Sequence, residues 1–178
     1  MLVSFDINTK YVAFALFDDD NSLKEYGRIL SNQTLDARIG SVAEVVFDKF
    51  EGYHISEMVY ENGYLANSPK ILIELSKVTG SLIGGMWLAG VHKASAIPPI
   101  TWQVGIGVGA TSPTEMDKLF KKYPGRSAGW VKSKNRENRK QLIIDFVNKQ
   151  YDLELTMKQN DEADAIALGH YFLNRGVK

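Results

Sequence analysis

The chain has 178 residues, 44% hydrophobic and 24% charged, a balance typical of a globular protein with one hydrophobic core. It contains no cysteine, which excludes disulfides and thiolate-bound zinc, and its three scattered histidines disfavour an all-nitrogen metal site. Residues 1–10 lack the features of a signal peptide. The most apolar segment, residues 71–91, is interrupted by charges and glycines, which favours a buried helix over a membrane span. We therefore expect a single domain over residues 1–178, located in the cytoplasm and without membrane contact.

The predicted elements begin with three short strands in an antiparallel meander, because an acidic turn joins the second strand to the third. An amphipathic helix, a fourth strand, a long apolar helix and a fifth strand follow. Ser68 and Pro69 form a typical helix start. This order predicts an α/β fold with a mixed five-stranded sheet flanked by helices. The predicted strands are residues 2–6, 11–17, 23–30, 57–61 and 94–97, and the predicted helices are 36–50, 68–89, 101–104, 136–150 and 160–173.

Four acids stand at positions that an α/β sheet can bring together. Asp6 ends the first strand and Glu61 ends the fourth, so both emerge on one sheet edge if these strands are parallel neighbours. Asp161 and Asp164 are spaced i, i+3 on the last helix, which Asn160 is predicted to cap. Converging carboxylates repel one another unless they bind cations, and oxygen ligands select Mg²⁺ or Mn²⁺. Two such ions are a common device for attack on a phosphodiester.

A strongly basic segment precedes the last helix. Residues 118–140 contain nine lysines and arginines and one acid, Glu137, so the segment carries 9 − 1 = +8 in a chain of net charge zero. Phe120, Tyr123 and Trp130 are interleaved with these bases, a mixture that suits a nucleic-acid backbone with unstacked bases nearby. Its prolines and glycines predict a mobile loop over about residues 105–135. A merely solvated loop is the alternative, and both interpretations can hold.

Three stretches resemble a known family. LVSFDINTKYVAFALFD resembles the first hairpin of RNase H-like nucleases. The segment from Met58 to Gly85 resembles the second acidic motif of the RuvC Holliday-junction resolvases, with Glu61, an aromatic residue at Tyr64 and a helix opening at Ser68. DEADAIALGH resembles the closing motif of that family. The resemblance runs along most of the chain, is weakest at residues 102–140, and is nearest to a bacteriophage version.

The resemblance implies an RNase H-like fold and metal-dependent cleavage of branched DNA, either four-way junctions or three-way junctions and forks, by a homodimer. It implies that Asp6 bridges two Mg²⁺ ions, that Glu61 and Asp164 complete one metal site, and that Asp161 contributes to the other. Mn²⁺ is expected to substitute, and the product is expected to carry a 5′-phosphate. If the chain is phage-encoded, it would act in the cytoplasm of the bacterial host.

The chain departs from the family pattern in two places. Ile7 and Asn8 follow Asp6 where the family usually has Pro-Gly. No lysine lies within residues 100–109, where the family places catalytically helpful lysines. Lys118, Lys132 and Lys134 are the candidates that remain for that role.

The predicted DNA-binding residues are the bases of the segment and one aromatic residue. Tyr64 lies three residues past Glu61, where an aromatic ring can stack on a base exposed at a branch point. The alternative role for Tyr64 is to cap the core under its loop. The predicted set is Tyr64, Lys118, Lys132, Lys134, Arg136, Arg139 and Lys140.

Two other functions remain open from the sequence. FDINTKYVAFALFD also resembles the phosphate-binding hairpin of actin-like and sugar-kinase-like ATPases, although the chain is about one domain long and that class needs two. A non-catalytic protein that binds branched DNA is the second alternative. The presence of all four acids argues against it, because a protein without nuclease activity has no need of mutually repelling carboxylates.

Overall fold

A computed structural model describes residues 1–30, 34–62 and 68–175. The predicted strands and helices are present in the predicted order, together with helices that were not predicted. The strands are β1 (Leu2–Ile7), β2 (Tyr11–Phe17), β3 (Leu23–Leu30), β4 (Glu57–Glu61) and β5 (Ala94–Ile97). The helices are α1 (Leu35–Phe50), α2 (Pro69–Leu88), α3 (Pro99–Gly105), α4 (Pro113–Lys122), α5 (Ala128–Tyr151), a 3₁₀ helix (Met157–Gln159) and α6 (Asn160–Asn174).

The strands form one mixed sheet in the order β3-β2-β1-β4-β5. β1 pairs antiparallel with β2 and parallel with β4, and β5 is parallel to β4. The condition set by the sequence, that the first and fourth strands be parallel neighbours, is therefore met. The predicted mixed five-stranded sheet flanked by helices is confirmed.

Alternation along the strands divides the core into two layers. Val3 and Phe5 of β1 point to one face, where α1 and α2 cover them. Leu2 and Val59 point to the other face, where they pack with α6, and α5 and α3 pack against α6 in turn. Because successive side chains point to opposite faces, the position of a residue along its strand decides whether its side chain faces α6 or faces α1 and α2.

Helix α2 is, among the described residues, long and apolar enough to cross a membrane by length and composition alone, with a mean hydropathy of 1.3. The core helix of a folded domain passes the same test. Val78, Leu82 and Met86 are buried, whereas Ile73 and Trp87 are more than half exposed. One face of α2 is thus buried in the core, as predicted for a helix of a folded domain, and the other face is exposed.

The predicted basic loop over residues 105–135 is wrong, because most of it is helical. Ser112 caps α4 through a capping box with Glu115, and Pro113 occupies the first turn. Ser127 caps α5, which begins eight residues earlier than predicted. The helix-breaking Gly125, with φ +78°, is confined to the turn between the two helices. The sequence pattern misled because the first half of α5 is mostly polar and shows little apolar periodicity.

The predicted cap of the last helix is also wrong. Gln159 precedes α6 without a side-chain cap, and the turn before it is the 3₁₀ helix. Thr156 and Gln159 form a capping box around that turn. Asn160 instead accepts a hydrogen bond from Lys140 through its side-chain oxygen. The chain thus enters α6 through a pre-formed turn, which holds the first acids of the helix against the sheet.

Candidate active site

Asp6 and Glu61 lie on the same side of the sheet because they occupy equivalent positions on adjacent parallel strands. Phe5 of β1 is paired with Tyr60 of β4, so the next residues, Asp6 and Glu61, are adjacent at the carboxyl ends of parallel strands. Ser4 and Val59, which share their parity, face the α6 layer. The two carboxylates therefore face α6.

Close packing of α6 on β1 and β2 brings the other two acids to this edge. Ser4 Oγ is buried and donates a hydrogen bond to the Ala165 carbonyl at 2.7 Å. Gly169 lies against Phe17 and Ser4, with no room for a side chain. One carboxylate oxygen from each of Asp6, Asp161 and Asp164 lies within 4.8 Å of the other two.

The electrostatics of the cluster are those of carboxylates with too little compensating charge. Burial, followed by the charge of Glu61, raises the pKa of Asp164 to about 8. Burial and then the charges of Asp164, Glu61 and Asp161 raise the pKa of Asp6 well above its ordinary value. Burial also raises the pKa of Glu61. The folded protein therefore holds these acids at a cost that a bound cation would remove.

The donor set fits a hard divalent cation. All of the candidate ligands are carboxylate oxygens, which Mg²⁺ and Mn²⁺ prefer. The buried Oδ1 of Asp164 has no hydrogen-bond partner among the described residues. A buried polar atom of this kind calls for a partner, and a cation held by the neighbouring acids would supply one.

Two residues outside the predicted set, Tyr11 and Arg28, hold Asp161 and its neighbour on α6. The Oδ2 of Asp161 accepts a hydrogen bond from the Tyr11 hydroxyl, and Arg28 stacks on the Tyr11 ring at 4.5 Å. Arg28 also forms an ion pair at 2.6 Å with Glu162, the residue next to Asp161. Glu162 is buried, and its carboxylate is paired with Arg28. This network orients Asp161 and compensates the charge of its neighbour.

Glu61 and Asp161 each have a further polar partner. The indole Nε1 of Trp102, a fully buried residue of α3, donates to Glu61 Oε2 at 3.0 Å. Lys140 Nζ lies 3.7 Å from Asp161 Oδ1, and its charge opposes the rise in the pKa of Asp6, Glu61 and Asp164. Lys140, predicted to contact the DNA backbone, thus faces the carboxylates.

The other predicted DNA-binding residues are dispersed over α4 and α5. Lys118, Lys132 and Arg136 are exposed. Lys134 pairs with Glu137 at 2.8 Å, and Arg139 donates to the Gln103 side chain. Of the interleaved aromatics, Phe120 and Trp130 are 37% and 38% exposed, and Tyr123 packs edge-to-face on Trp130 at 5.1 Å. The accessible part of this surface therefore contains aromatic rings as well as bases.

Tyr64 lies outside the described residues, so its predicted stacking role stays a prediction. The residues that the sequence missed, Tyr11, Arg28 and Trp102, carry no pattern of their own. Each contacts its carboxylate across 41 or more positions of the chain. Only the fold brings them into reach.

The raised pKa of Asp164 predicts a pH dependence of stability without divalent cations. In the unfolded chain this carboxyl ionises near its ordinary pKa of 3.8, but in the folded protein near about 8. Between these values the folded state binds more protons, so the free energy of unfolding falls as pH rises. Denaturant titrations in a chelator should show lower stability at pH 8 than at pH 5.5. Mg²⁺ should reduce this loss, and Asp164→Asn should flatten the profile without any metal. A flat wild-type profile in chelator would contradict the shift.

The fold and the cluster define an α/β protein with acids converging at the carboxyl ends of two adjacent parallel strands. Known structures share this arrangement of elements. RuvC from Thermus thermophilus in complex with a Holliday junction substrate is similar at a TM-score of 0.68 and 11% identity, over 98% of this chain and 95% of that one. A second structure of Thermus thermophilus RuvC is similar at a TM-score of 0.66 and 11% identity, over 98% of this chain and 96% of that one. The yeast mitochondrial Holliday junction resolvase Ydc2 is similar at a TM-score of 0.50 and 10% identity, over 97% of this chain and 77% of that one.

No protein-family model matches the chain, and no curated protein is similar to it in sequence. At such low identity the likeness concerns the fold. The chain has the fold of RuvC, so the RNase H-like fold expected from the sequence motifs is confirmed.

Proposed function

We propose that the chain is a metal-dependent endonuclease that cleaves branched DNA, a crossover junction endodeoxyribonuclease of one nuclease domain. The observation that carries the proposal is the partly buried cluster of Asp6, Asp161 and Asp164, with Glu61 beside it, at the sheet edge of a RuvC-like fold. Two of the similar proteins are named as Holliday junction proteins, one of them bound to its junction.

Asp6, Glu61, Asp161 and Asp164 would hold the cations, with Mg²⁺ as the expected ion and Mn²⁺ as a substitute. Divalent cations bound by these carboxylates would lower the pKa of an attacking water and stabilise the departing oxygen of a phosphodiester. The protein supplies the geometry: Tyr11 fixes Asp161, Trp102 fixes Glu61, and β1 places Asp6 between them. Lys140 balances part of the negative charge and can attract the DNA phosphate.

The proposal is tested by incubating the purified protein and Mg²⁺ with linear, forked, three-way and four-way DNA of matched sequence. We expect cuts in branched DNA at symmetric positions, with 5′-phosphate ends that a ligase seals. Binding without cutting in Mg²⁺ or Mn²⁺ would support a non-catalytic branched-DNA binder. ATP hydrolysis without any DNA cleavage would support the ATPase alternative. Either result would overturn the proposal that the chain is a nuclease.

The exposed bases of α4 and α5 are proposed to bind the DNA backbone. Replacing Lys118, Lys132 and Arg136 together with alanine should weaken binding to every DNA shape, whatever its base sequence, because all of these DNAs present phosphates and phosphate contacts carry no sequence information directly. The slope of log Kd against log salt should fall by about one unit per lost contact. Lys93→Ala, on the β5 side of the fold, is the matched control and should leave the slope unchanged. An unaltered slope in the triple variant would show that these bases are merely solvated.

We further propose that a second copy of the chain covers the exposed face of α2. Ile73, Trp87 and Leu88 are 57%, 56% and 71% exposed, an apolar surface that water disfavours. Between them, a methyl group added at Gly80 or Gly84 would meet nothing within 4 Å in the part of the chain that the structure describes, so a partner helix can approach closely. A twofold dimer would present two cleavage sites to the two symmetric strands of a junction.

The dimer is tested by charge substitution on this face. Ile73→Asp together with Trp87→Asp should convert a dimer at micromolar concentration into a monomer in sedimentation equilibrium, because buried unpaired carboxylates oppose association. Ile100→Asp, an equally apolar exposed position on α3, is the control and should remain dimeric. A wild-type chain that stays monomeric even with DNA would contradict the proposed interface.

A further inference from the structure

The segment 107–111 and helices α4 and α5 line an open cavity of about 450 Å³ outside the carboxylate cluster. This volume lies within the range of about 300–1,000 Å³ that is usual for small-molecule sites. None of the residues assigned to metal binding lines it. The cavity therefore has room for a ligand the size of one nucleotide.

Apolar side chains form much of the cavity surface. Val108 is buried beneath it, Leu119 of α4 lies on one wall and Leu142 of α5 on the other. Leu142 is 54% exposed, although it lies beside the fully buried Ile144 on the same helix. An exposed leucine at the mouth of a cavity suits a flat apolar surface such as the face of a nucleic-acid base.

The charged residues of the cavity are mainly basic. Lys118, Lys122 and Arg139 line it together with a single acid, Glu115. The Oε2 of Glu115 already accepts hydrogen bonds from the Ser112 backbone at 2.7 Å and hydroxyl at 2.8 Å. Three cations against one engaged carboxylate give a rim that attracts a phosphate.

Two side-chain amides add donors and acceptors. The Oδ1 of Asn135 accepts a hydrogen bond from Thr111 at 3.0 Å, which leaves its amide NH₂ directed elsewhere. Asn138 is exposed one turn further along α5 and also lines the cavity. Amides of this kind pair with the polar edges of bases, which carry both donors and acceptors.

Consecutive residues of α5 connect the cavity to the carboxylate cluster. Arg139 lines the cavity and donates to Gln103 of α3, whereas Lys140 faces Asp161. Trp102, next to Gln103, donates to Glu61. Helix α5 thus presents one residue to the cavity and the next to the carboxylate cluster.

We propose that this cavity binds one unpaired nucleotide of the branched DNA, close in sequence to the bond that the carboxylate cluster cleaves. The base lies between Leu119 and Leu142, its edge faces the amides of Asn135 and Asn138, and its phosphates face Lys118, Lys122 and Arg139. A branch point supplies such a base without the cost of opening a duplex. This inference rests on the proposed function, since it names the part of the substrate that the nuclease reads.

The test is an abasic scan of the branched DNA that the full-length protein cuts best. Single abasic sites are placed at each position within about five nucleotides of the cut, and Kd is measured in chelator so that the DNA is bound but not cleaved. In the wild type, one or two positions should lose about fivefold or more in affinity, since a buried base contact is removed. Leu142→Trp fills the cavity without changing any charge. It should bind the intact DNA about as weakly as the wild type binds the abasic DNA, and it should lose nothing further at that position.

Gln141→Trp, exposed on the same helix and outside the cavity lining, is the matched control and should behave as the wild type. Asn138→Ala, a second variant that fills no space, should keep the affinity loss at the abasic position but lose any preference for one base there. A flat scan in the wild type, or an undiminished abasic effect in Leu142→Trp, would overturn the cavity assignment while the nuclease proposal stands. Failure to bind or cut any branched DNA would overturn the nuclease proposal itself.

Discussion

Asp6→Asn and Asp164→Asn should each reduce the cleavage of branched DNA by about a thousandfold or more, while DNA binding survives or improves. The loss corresponds to the several kcal/mol that metal-centred charge stabilisation contributes to such reactions. Binding survives because an amide keeps the shape of the side chain and removes a charge that repels phosphate. Single-turnover cleavage and a separate binding titration, both at saturating Mg²⁺, measure the two effects independently.

Variants of the other two acids and a control variant test the same assignment. Glu61→Gln should also abolish cleavage, whereas Asp161→Asn should reduce it less, because Asp161 already shares its oxygens with Tyr11 and Lys140. Asp48→Asn, an exposed acid of α1 on the opposite side of the sheet, should cut at the wild-type rate. Wild-type rates in Asp6→Asn or Asp164→Asn would remove both residues from the metal site.

Gly169→Ala should destabilise the fold by about 3 kcal/mol and lower cleavage as well. The added methyl group has no room where α6 packs against the sheet. A methyl group at this position of α6 would meet the Phe17 ring and lie 2.7 Å from Ser4 Oγ. Neither neighbour can yield easily, since Phe17 and Ser4 are fully buried and Ser4 is bonded to the Ala165 carbonyl. The helix must therefore move away from the sheet, and it carries Asp161 and Asp164 with it.

Denaturant unfolding and cleavage assays test this packing argument together. Gly129→Ala is the control, because no described atom lies within 4 Å of its added methyl group in the first turn of α5. That change should be neutral or stabilise the protein by up to about 1 kcal/mol through helix propensity. Equal stability of Gly169→Ala and the wild type would show that α6 does not pack as closely as described.

The sequence determined the local features of this protein. Strand and hairpin patterns placed all five strands, with β2 to β5 at the predicted bounds, because period-two alternation and acidic or proline-containing turns are short-range signals. The four acids could be selected because each stood at a strand end or a helix start. The motifs that resembled the resolvases carried the fold correctly. The basic segment was recognised as basic, and the second half of α5 was predicted. Helix α4 and the first half of α5 were missed, because the prolines and glycines of the segment indicate a loop and the first half of α5 is mostly polar.

Only the tertiary structure decided which groups meet. Parallel pairing of β1 with β4 made Asp6 and Glu61 neighbours, and the glycine contact of α6 set the distance to Asp161 and Asp164. The roles of Tyr11, Arg28 and Trp102 depend on contacts across 41 or more positions of the chain, which no local pattern encodes. The position of Lys140 also depends on the fold. The sequence shows its charge, but its side chain faces the acids only because α5 packs on α6. Local chemistry fixes what each residue can do, and the packing of distant elements decides which groups it acts on.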